Sequence, residues 1–237
     1  MIISILTLFP EFFSSPLNTS IIKRAREKNI VEFNIIDIRS FCEDKHKTAD
    51  DRPYGGGPGM ILKPEPLYKS IKKAKELKKG KVIYLSPKGT IYNQSIAQQL
   101  KKIDHIILLC GHYEGIDERI RKHFVDMEIS VGDYILTGGE VAALVIIDTV
   151  VRLLPDVLGN KDSINQESFV NGLLDYPHYT RPYNFMGYKV PDILLSGNHK
   201  KIAEWRLKKS IEETRKKRPD LYKKYLAYMK MMKNTKR

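Results

Sequence analysis

Apolar and polar positions along the chain change period in a regular order. Residues 2–9, 31–38, 81–85, 105–110 and 130–136 are short runs rich in aliphatic and aromatic side chains, the mark of β-strands. Several are continuously apolar rather than alternating, as expected of strands in a parallel sheet covered on both faces. Between them, residues 64–77, 93–102 and 116–124 carry apolar positions at helical spacing. Residues 139–154 predict a further helix, apolar nearly all round and therefore mostly buried. Strands and helices in alternation predict an α/β sandwich.

The pattern breaks near residue 159. The stretch 159–172 is polar, with Asn160, Lys161, Asp162, Ser163, Asn165 and Gln166, and reads as a linker. Pro177-His178-Tyr179-Thr180-Arg181-Pro182 is too rich in proline for a helix. The remainder reads as helical. Ile202, Trp205 and Ile211 can share one face, with Lys and Arg on the other. Pro219 opens a last helix over residues 220–232, with Leu221, Tyr225, Tyr228, Met229 and Met232 as its apolar side. The expected organisation is a body over 1–159, a linker over 160–172 and a helical module over 173–237.

Composition narrows the class. With 237 residues, 42% of them hydrophobic, the chain can fill one large core or a core plus a smaller helical module. Cys42 and Cys110 form no CxxC pair and no zinc spacing, so neither a metal clip nor a disulfide framework is expected. The apolar opening through Phe9 has no basic lead-in and no small-residue cleavage site, and Pro10-Glu11 interrupts it. The apolar stretch 141–154 contains Asp148 and Arg152 and is too short to span a bilayer. A cytoplasmic protein without membrane partners is the expectation.

Charge is uneven. From Asn198 to Arg237 the chain has 15 Lys/Arg against 4 Asp/Glu, a net of +11. That leaves 26 against 24 in the first 197 residues, a net of +2 within the total of +13. A nearly neutral body thus carries a basic tail, which points to a polyanion. A solvated lysine-rich helix is the plainer alternative, and a membrane surface is disfavoured because the tail lacks a long apolar face.

Three glycine-bearing loops follow candidate strands: Leu85-Ser86-Pro87-Lys88-Gly89, Cys110-Gly111-His112-Tyr113-Glu114-Gly115, and Val131 to Glu140 with Gly132, Gly138 and Gly139. One such loop is ordinary turn chemistry. Three in one half of a sheet argue for a backbone-lined pocket at the carboxyl ends of strands. The chain has no GxxxxGK[ST], and no GxGxxG follows its first strand, so nucleoside triphosphates and dinucleotides are disfavoured. A nucleotide-like ligand without a pyrophosphate fits better, S-adenosylmethionine among them.

These loops belong to longer strings. They are Asp44-Lys45-His46-Lys47-Thr48-Ala49-Asp50-Asp51-Arg52-Pro53-Tyr54-Gly55-Gly56-Gly57-Pro58-Gly59-Met60; Tyr84-Leu85-Ser86-Pro87; Gly111-His112-Tyr113-Glu114-Gly115-Ile116-Asp117-Glu118-Arg119; Gly132-Asp133-Tyr134-Ile135-Leu136-Thr137-Gly138-Gly139-Glu140; and Gly172-Leu173-Leu174-Asp175-Tyr176-Pro177-His178-Tyr179-Thr180-Arg181-Pro182. In that order they resemble the signature of bacterial tRNA (guanine-37 N1)-methyltransferases of the SPOUT superfamily, over residues 1 to about 207. The resemblance implies a SPOUT-type parallel-sheet sandwich with a deep trefoil knot in the catalytic domain, plus a small helical C-terminal domain. It also implies bent S-adenosylmethionine held by Tyr84, Leu85, Ser86, Pro87, Gly111, Tyr113, Glu114, Gly115, Val131, Gly132, Asp133, Tyr134, Ile135, Leu136, Gly138 and Gly139.

Methyl transfer from a sulfonium needs alignment more than acid catalysis. Guanine N1 nevertheless holds a proton at neutral pH, so a base must take it and the charge spreading to O6 needs a cation. Glu167 and Arg152 match the family positions for these roles, and Asp175 would support them. From the residues alone, Arg152 reads equally as a snorkelling helix end, and Glu167 as a solvated loop carboxylate. The family usually has Asp where this chain has Glu167; Asp162 is the nearest substitute. The residues show no dense carboxylate cage, so no metal site is assigned, and magnesium, which some members need, stays open. The resemblance further implies a homodimer with the active site at the subunit interface. Arg206, Lys208, Lys209, Arg215, Lys216 and Arg218 would grip the anticodon arm of tRNA through phosphates. The target base must leave its stack, and His178 or Tyr179 would support it or simply pack. Two other readings are a non-catalytic RNA-binding protein that keeps the fold, and a nicotinamide-dependent oxidoreductase, which the missing fingerprint disfavours.

Overall fold

The computed structural model describes residues 1–158 and 167–234, with side chains to residue 232. Two compact units divide the chain, Met1–Gly159 and Asn160–Arg237. Most of the linker expected over 160–172, including Asp162, lies outside the described residues.

The first unit is built on one parallel sheet. Its strands are β1 (Ile2–Thr7), β2 (Glu32–Asp37), β5 (Lys81–Ile91), β6 (His105–Cys110) and β7 (Met127–Ser130). They lie in the order β2-β1-β6-β5-β7. Successive strand residues point to opposite faces, and both faces are covered. Ile3 and Ile5 of β1, Ile83 and Leu85 of β5, and Ile106 and Leu108 of β6 enter one core. Leu6, Val82, Tyr84, Ile107 and Leu109 enter the other. This double burial is why the strand runs are continuously apolar rather than alternating.

Helices α1 (Ser20–Glu27), α3 (Gln94–Leu100) and α5 (Glu140–Val151) supply Ala25, Leu100 and Ile147 to the first core. Leu67 of α2 (Pro64–Leu77) and Ile120 of α4 (Glu118–Phe124) join the second. As its all-round apolar composition predicts, α5 buries Ala142, Ala143, Ile146, Ile147, Val150 and Val151. Caps trim the predicted helices. Asn93 accepts from the N–H groups of Ser95 and Ile96, at 3.0 and 3.2 Å, and sets the start of α3. Asp117 does the same for α4 through Arg119 N–H at 2.8 Å. The amphipathic α1 was not foreseen, although Ile22 and Ala25 carry helical spacing.

Two expectations need correction. The strand expected over 130–136 ends at Ser130 and begins at Met127 instead. Gly132, at φ +153°, turns the chain, and the Tyr134 ring folds back over it. The segment after Pro182 is not all helical. A short pair, β8 (Asn184–Phe185) and β9 (Tyr188–Lys189), forms a hairpin. Its two-residue turn, Met186-Gly187, has positive φ at both positions, 51° and 88°, the geometry that suits a strand reversal. A second small pair, β3 (Asp50–Asp51) with β4 (Ile61–Leu62), closes residues 52–60 of the glycine-rich string into a loop.

Beyond the hairpin, the second unit ends in α6 (His199–Lys217) and α7 (Pro219–Asn234). Pro219 opens α7, where its missing N–H would have had no partner in any case. Thr214, buried on α6, receives the N–H of Leu174 at 2.8 Å and so ties the preceding segment to the helix. No helix among the described residues is long and apolar enough to cross a membrane.

Candidate active site

A cavity of about 400 Å³ opens at the carboxyl ends of β5, β6 and β7. Every residue expected to hold the methyl donor lies in its wall, Asp133 excepted. Three local features build it. The ladder between β5 and β7 shifts register between Leu85 and Thr90, and Ser86, Pro87 and Lys88 of the interruption line the cavity. Pro87, with no N–H to donate, suits that interruption. After β6 the chain turns through Tyr113 (φ 57°) and Gly115 (φ 125°). The third loop comes back to meet this turn. Gly139 N–H donates to Gly111 C=O at 2.9 Å, and His112 and Gly138 form an antiparallel bridge. A Cβ on Gly139 would stand 2.7 Å from the Cα of Cys110, so two main chains touch where only glycine fits.

The Asp44–Met60 string packs beside the same turn. Glu114 N–H donates to Met60 C=O, and Leu62 N–H to Gly115 C=O, both at 3.0 Å. Buried groups back the lining glycines Gly138 and Gly139. Glu140, 5% exposed at the start of α5, accepts from the Thr7 hydroxyl at 2.7 Å. Burial and the Glu140 carboxylate push the Cys110 thiol far up, which removes it as a nucleophile. Burial, then the Glu128 charge, raises the Tyr84 phenol to about 12, so it stays neutral and is no base near pH 7.

One wall is ionic. Arg121 grips Glu118 with two bonds, Nε to Oε2 at 2.7 Å and Nη2 to Oε1 at 2.6 Å, and reaches Glu128 Oε2 at 3.1 Å. That fork pulls the Glu118 carboxyl down to about 2 and raises the guanidinium further. The other Glu128 oxygen and His112 Nδ1 are buried without a hydrogen-bond partner among the described residues. Three carboxylates, Glu114, Glu118 and Glu128, face two cations, Lys88 and Arg121, a balance that suits a positively charged ligand.

The family of this chain can be read from its sequence relatives. The pattern described as tRNA (Guanine-1)-methyltransferase TrmD matches residues 1–224. The chain belongs to this family. A protein of Clostridium botulinum named tRNA (guanine-N(1)-)-methyltransferase is 58% identical over 94% of this chain and 93% of its own length. Proteins of the same name from Brevibacillus brevis and Fusobacterium nucleatum are 54% and 57% identical, covering 94% and 93% of this chain and 92% and 91% of their own lengths.

The expected catalytic trio is divided between the units. Arg152 caps α5 in the first, half-buried and outside the cavity wall. Glu167 and Asp175 stand together on the wall of a separate cavity in the second. Asp175 is spent on its own turn, accepting from Tyr176 N–H and meeting His178 Nε2, each at 2.7 Å. Among the described residues no group of three His, Cys, Asp or Glu is placed to hold a metal ion. Sequence reasoning missed Arg121 and Glu128 in the wall and Glu140 behind it. Only Glu140 carried a signal, an acid at the start of an apolar helix, and its partner Thr7 lies too far along the chain to be found from it.

Proposed function

We propose that the protein methylates N1 of a guanine in tRNA, at position 37 beside the anticodon, with S-adenosylmethionine as donor. The observation that carries this reading is the coincidence of the glycine-lined cavity with the residues that the family motif would place around the donor. Backbone groups of the Leu85–Gly89, Gly111–Gly115 and Val131–Gly139 loops would hold the adenosine part. Tyr84 packs against both glycines of the middle loop, and the Glu114, Glu118 and Glu128 carboxylates favour the cationic end. Bound there, S-adenosylmethionine supplies an activated methyl group. Glu167 takes the proton from guanine N1, Arg152 steadies the charge that spreads to O6, and Asp175 holds the His178–Tyr176 turn in place. The longer stem of Glu167, in place of the usual Asp, moves the carboxylate by one methylene and asks its loop to compensate.

Because these groups sit on two units, a homodimer is part of the proposal: the donor pocket of one protomer is completed by the second unit of its partner. The close passage of Gly139 past Gly111 is in keeping with a knotted donor loop, which we include in the reading. A cytoplasmic location follows from the tRNA substrate. No metal site is assigned, and chelation tests whether turnover depends on magnesium.

The test is to incubate the full-length protein with an unmodified tRNA transcript and labelled donor, then map the methylated nucleotide. Glu167→Gln is expected to lower turnover by about 10²- to 10⁴-fold, the usual worth of a positioned base, while donor binding persists. A near-wild-type rate for that variant would move the base elsewhere. Label on any atom other than guanine N1 would reject the function.

A further inference from the structure

The second unit contains a cavity of about 840 Å³ whose most unusual lining group is Arg206. Its guanidinium carbon sits 4.9 Å from the centre of the Tyr176 ring. Its Nε–H is buried and has no hydrogen-bond partner among the described residues. An orphaned buried donor is costly, and it calls for an explanation such as a ligand that covers it. Asp175, the nearer acid in sequence to Tyr176, is already committed to that turn. Glu167 supplies a carboxylate to the same cavity.

A cation and a carboxylate on one cavity wall match the two edges of guanine. The Hoogsteen edge offers two acceptors, N7 and O6, to an arginine fork. The Watson–Crick edge offers the N1–H and N2–H donors to a carboxylate. Adenine would place its N6 donor beside N7 and meet the fork with like polarity. The Tyr176 ring under the guanidinium keeps the fork in plane. A phosphate contact, the role its neighbours on the basic tail suggest, would leave Nε at the surface rather than buried.

We propose that Arg206 is a specificity-determining residue that reads N7 and O6 of the target guanine while Glu167 faces N1. The inference rests on the methyl-transfer reading above and deepens it. O6 has two lone pairs, so Arg152 and Arg206 can share it.

The test compares kcat/KM at saturating S-adenosylmethionine on two transcripts, one with guanine and one with 7-deazaguanine at the methylated position. Wild-type protein is expected to lose about tenfold or more on the deaza base, which lacks the N7 acceptor. Arg206→Gln is expected to be slow on guanine and to treat both transcripts alike. Arg206→Lys keeps the charge without the fork and is expected to stay slow. The helical circular-dichroism signal and urea midpoint of each variant check that the unit carrying Arg206 is folded, and the wild-type comparison needs no variant at all. Equal wild-type rates on both bases would overturn the assignment. So would an Arg206→Gln loss that keeps the full deaza penalty and lowers the salt slope of tRNA binding by about one, the behaviour of a phosphate contact. A wild-type protein that methylates neither transcript sinks the methyl-transfer reading and this one with it. An active Glu167→Gln with the Arg206 pattern intact removes only the base assignment.

Discussion

The donor pocket of the first unit and the Arg206 cavity of the second are made of different material. The pocket of the first unit is made largely of main chain, in loops that leave a parallel sheet and touch each other at Gly111 and Gly139. The cavity of the second unit is made of side chains, among them Glu167, Tyr176, Arg206 and Tyr225. Main chain recognises by position and tolerates no added atom, so its specificity depends on residues that are absent. Side chains recognise by charge and stacking, so their specificity depends on residues that are present. Substitutions should therefore fail differently in the two places: by collision in the first unit, by lost charge in the second.

The largest effect is expected at the collision. Gly139→Ala puts a methyl 2.7 Å from Cys110 Cα and 3.0 Å from Gly111 N, both backbone atoms that cannot rotate away. The residue's own φ of −78° is ordinary, so the clash alone is tested. Overpacking of this kind costs roughly 1–3 kcal/mol, and the Gly139–Gly111 hydrogen bond must lengthen. Calorimetry should find donor binding weakened by about a hundredfold or lost, together with a lower urea midpoint. Wild-type affinity would mean that the loops do not hold the donor through their main chain.

On the second unit the corresponding change is one of charge. Lys209 meets Glu212 at 2.6 Å, Lys217 meets Glu213 at 2.5 Å and Arg218 meets Asp220 at 2.7 Å, so part of the basic surface is internally paired. Lys208, Arg215 and Lys216 are exposed on α6 and form no such pair among the described residues. Reversing these three to Glu is expected to weaken tRNA binding and to reduce the slope of log affinity against log salt by about 0.7–0.9 per lost phosphate contact. Donor binding should not change. A slope equal to that of the wild type would remove this helix from the tRNA contact.

The same division explains what the sequence disclosed. The sheet was legible because double burial makes its strands continuously apolar, and the pocket was legible because glycines recur after β5 and β6 and again after β7. The end of β7 was misplaced because Val131, Tyr134, Ile135 and Leu136 are apolar for a different reason: they line a cavity. Composition cannot distinguish an apolar loop wall from a strand. The β8–β9 hairpin was hidden for a similar reason, since each strand is two residues long and carries no period. Arg121, Glu128 and Glu140 act through partners that lie close in space but not always in sequence: Glu140 meets Thr7 from 133 positions away. No local pattern encodes such a pair.

That long-range pair gives a smaller, sharper test of the first unit. Thr7 and Glu140 are both buried, and their hydrogen bond joins the end of β1 to the start of α5. Thr7→Val keeps the shape but removes the donor, leaving a buried carboxylate oxygen one partner short, at about 1–3 kcal/mol. Thr7 Oγ1 also accepts from Phe9 N–H at 2.9 Å, so the turn after β1 loosens with it. Equilibrium denaturation should register the loss, with donor affinity falling less than in Gly139→Ala. An unchanged midpoint would show that water replaces the hydroxyl without cost.

The smallest effect belongs to the ionic wall, where the pocket of the first unit does use side chains. Arg121 holds the Glu118 carboxyl near 2, against an ordinary 4.5. A carboxyl depressed on folding stabilises the folded state above its unfolded value and loses that contribution as pH falls through the folded one. The window for Glu118 therefore runs from about 4.5 down to about 2. Glu118 is solvent-exposed, so screening keeps its contribution small and sensitive to salt. Glu118→Gln should lower the urea midpoint slightly at pH 7, and the gap to wild type should narrow as the pH is taken below 4.5. If the gap holds constant down to pH 3 at low ionic strength, Arg121 takes its charge balance from Glu128 instead, and the wall depends on the less exposed carboxylate.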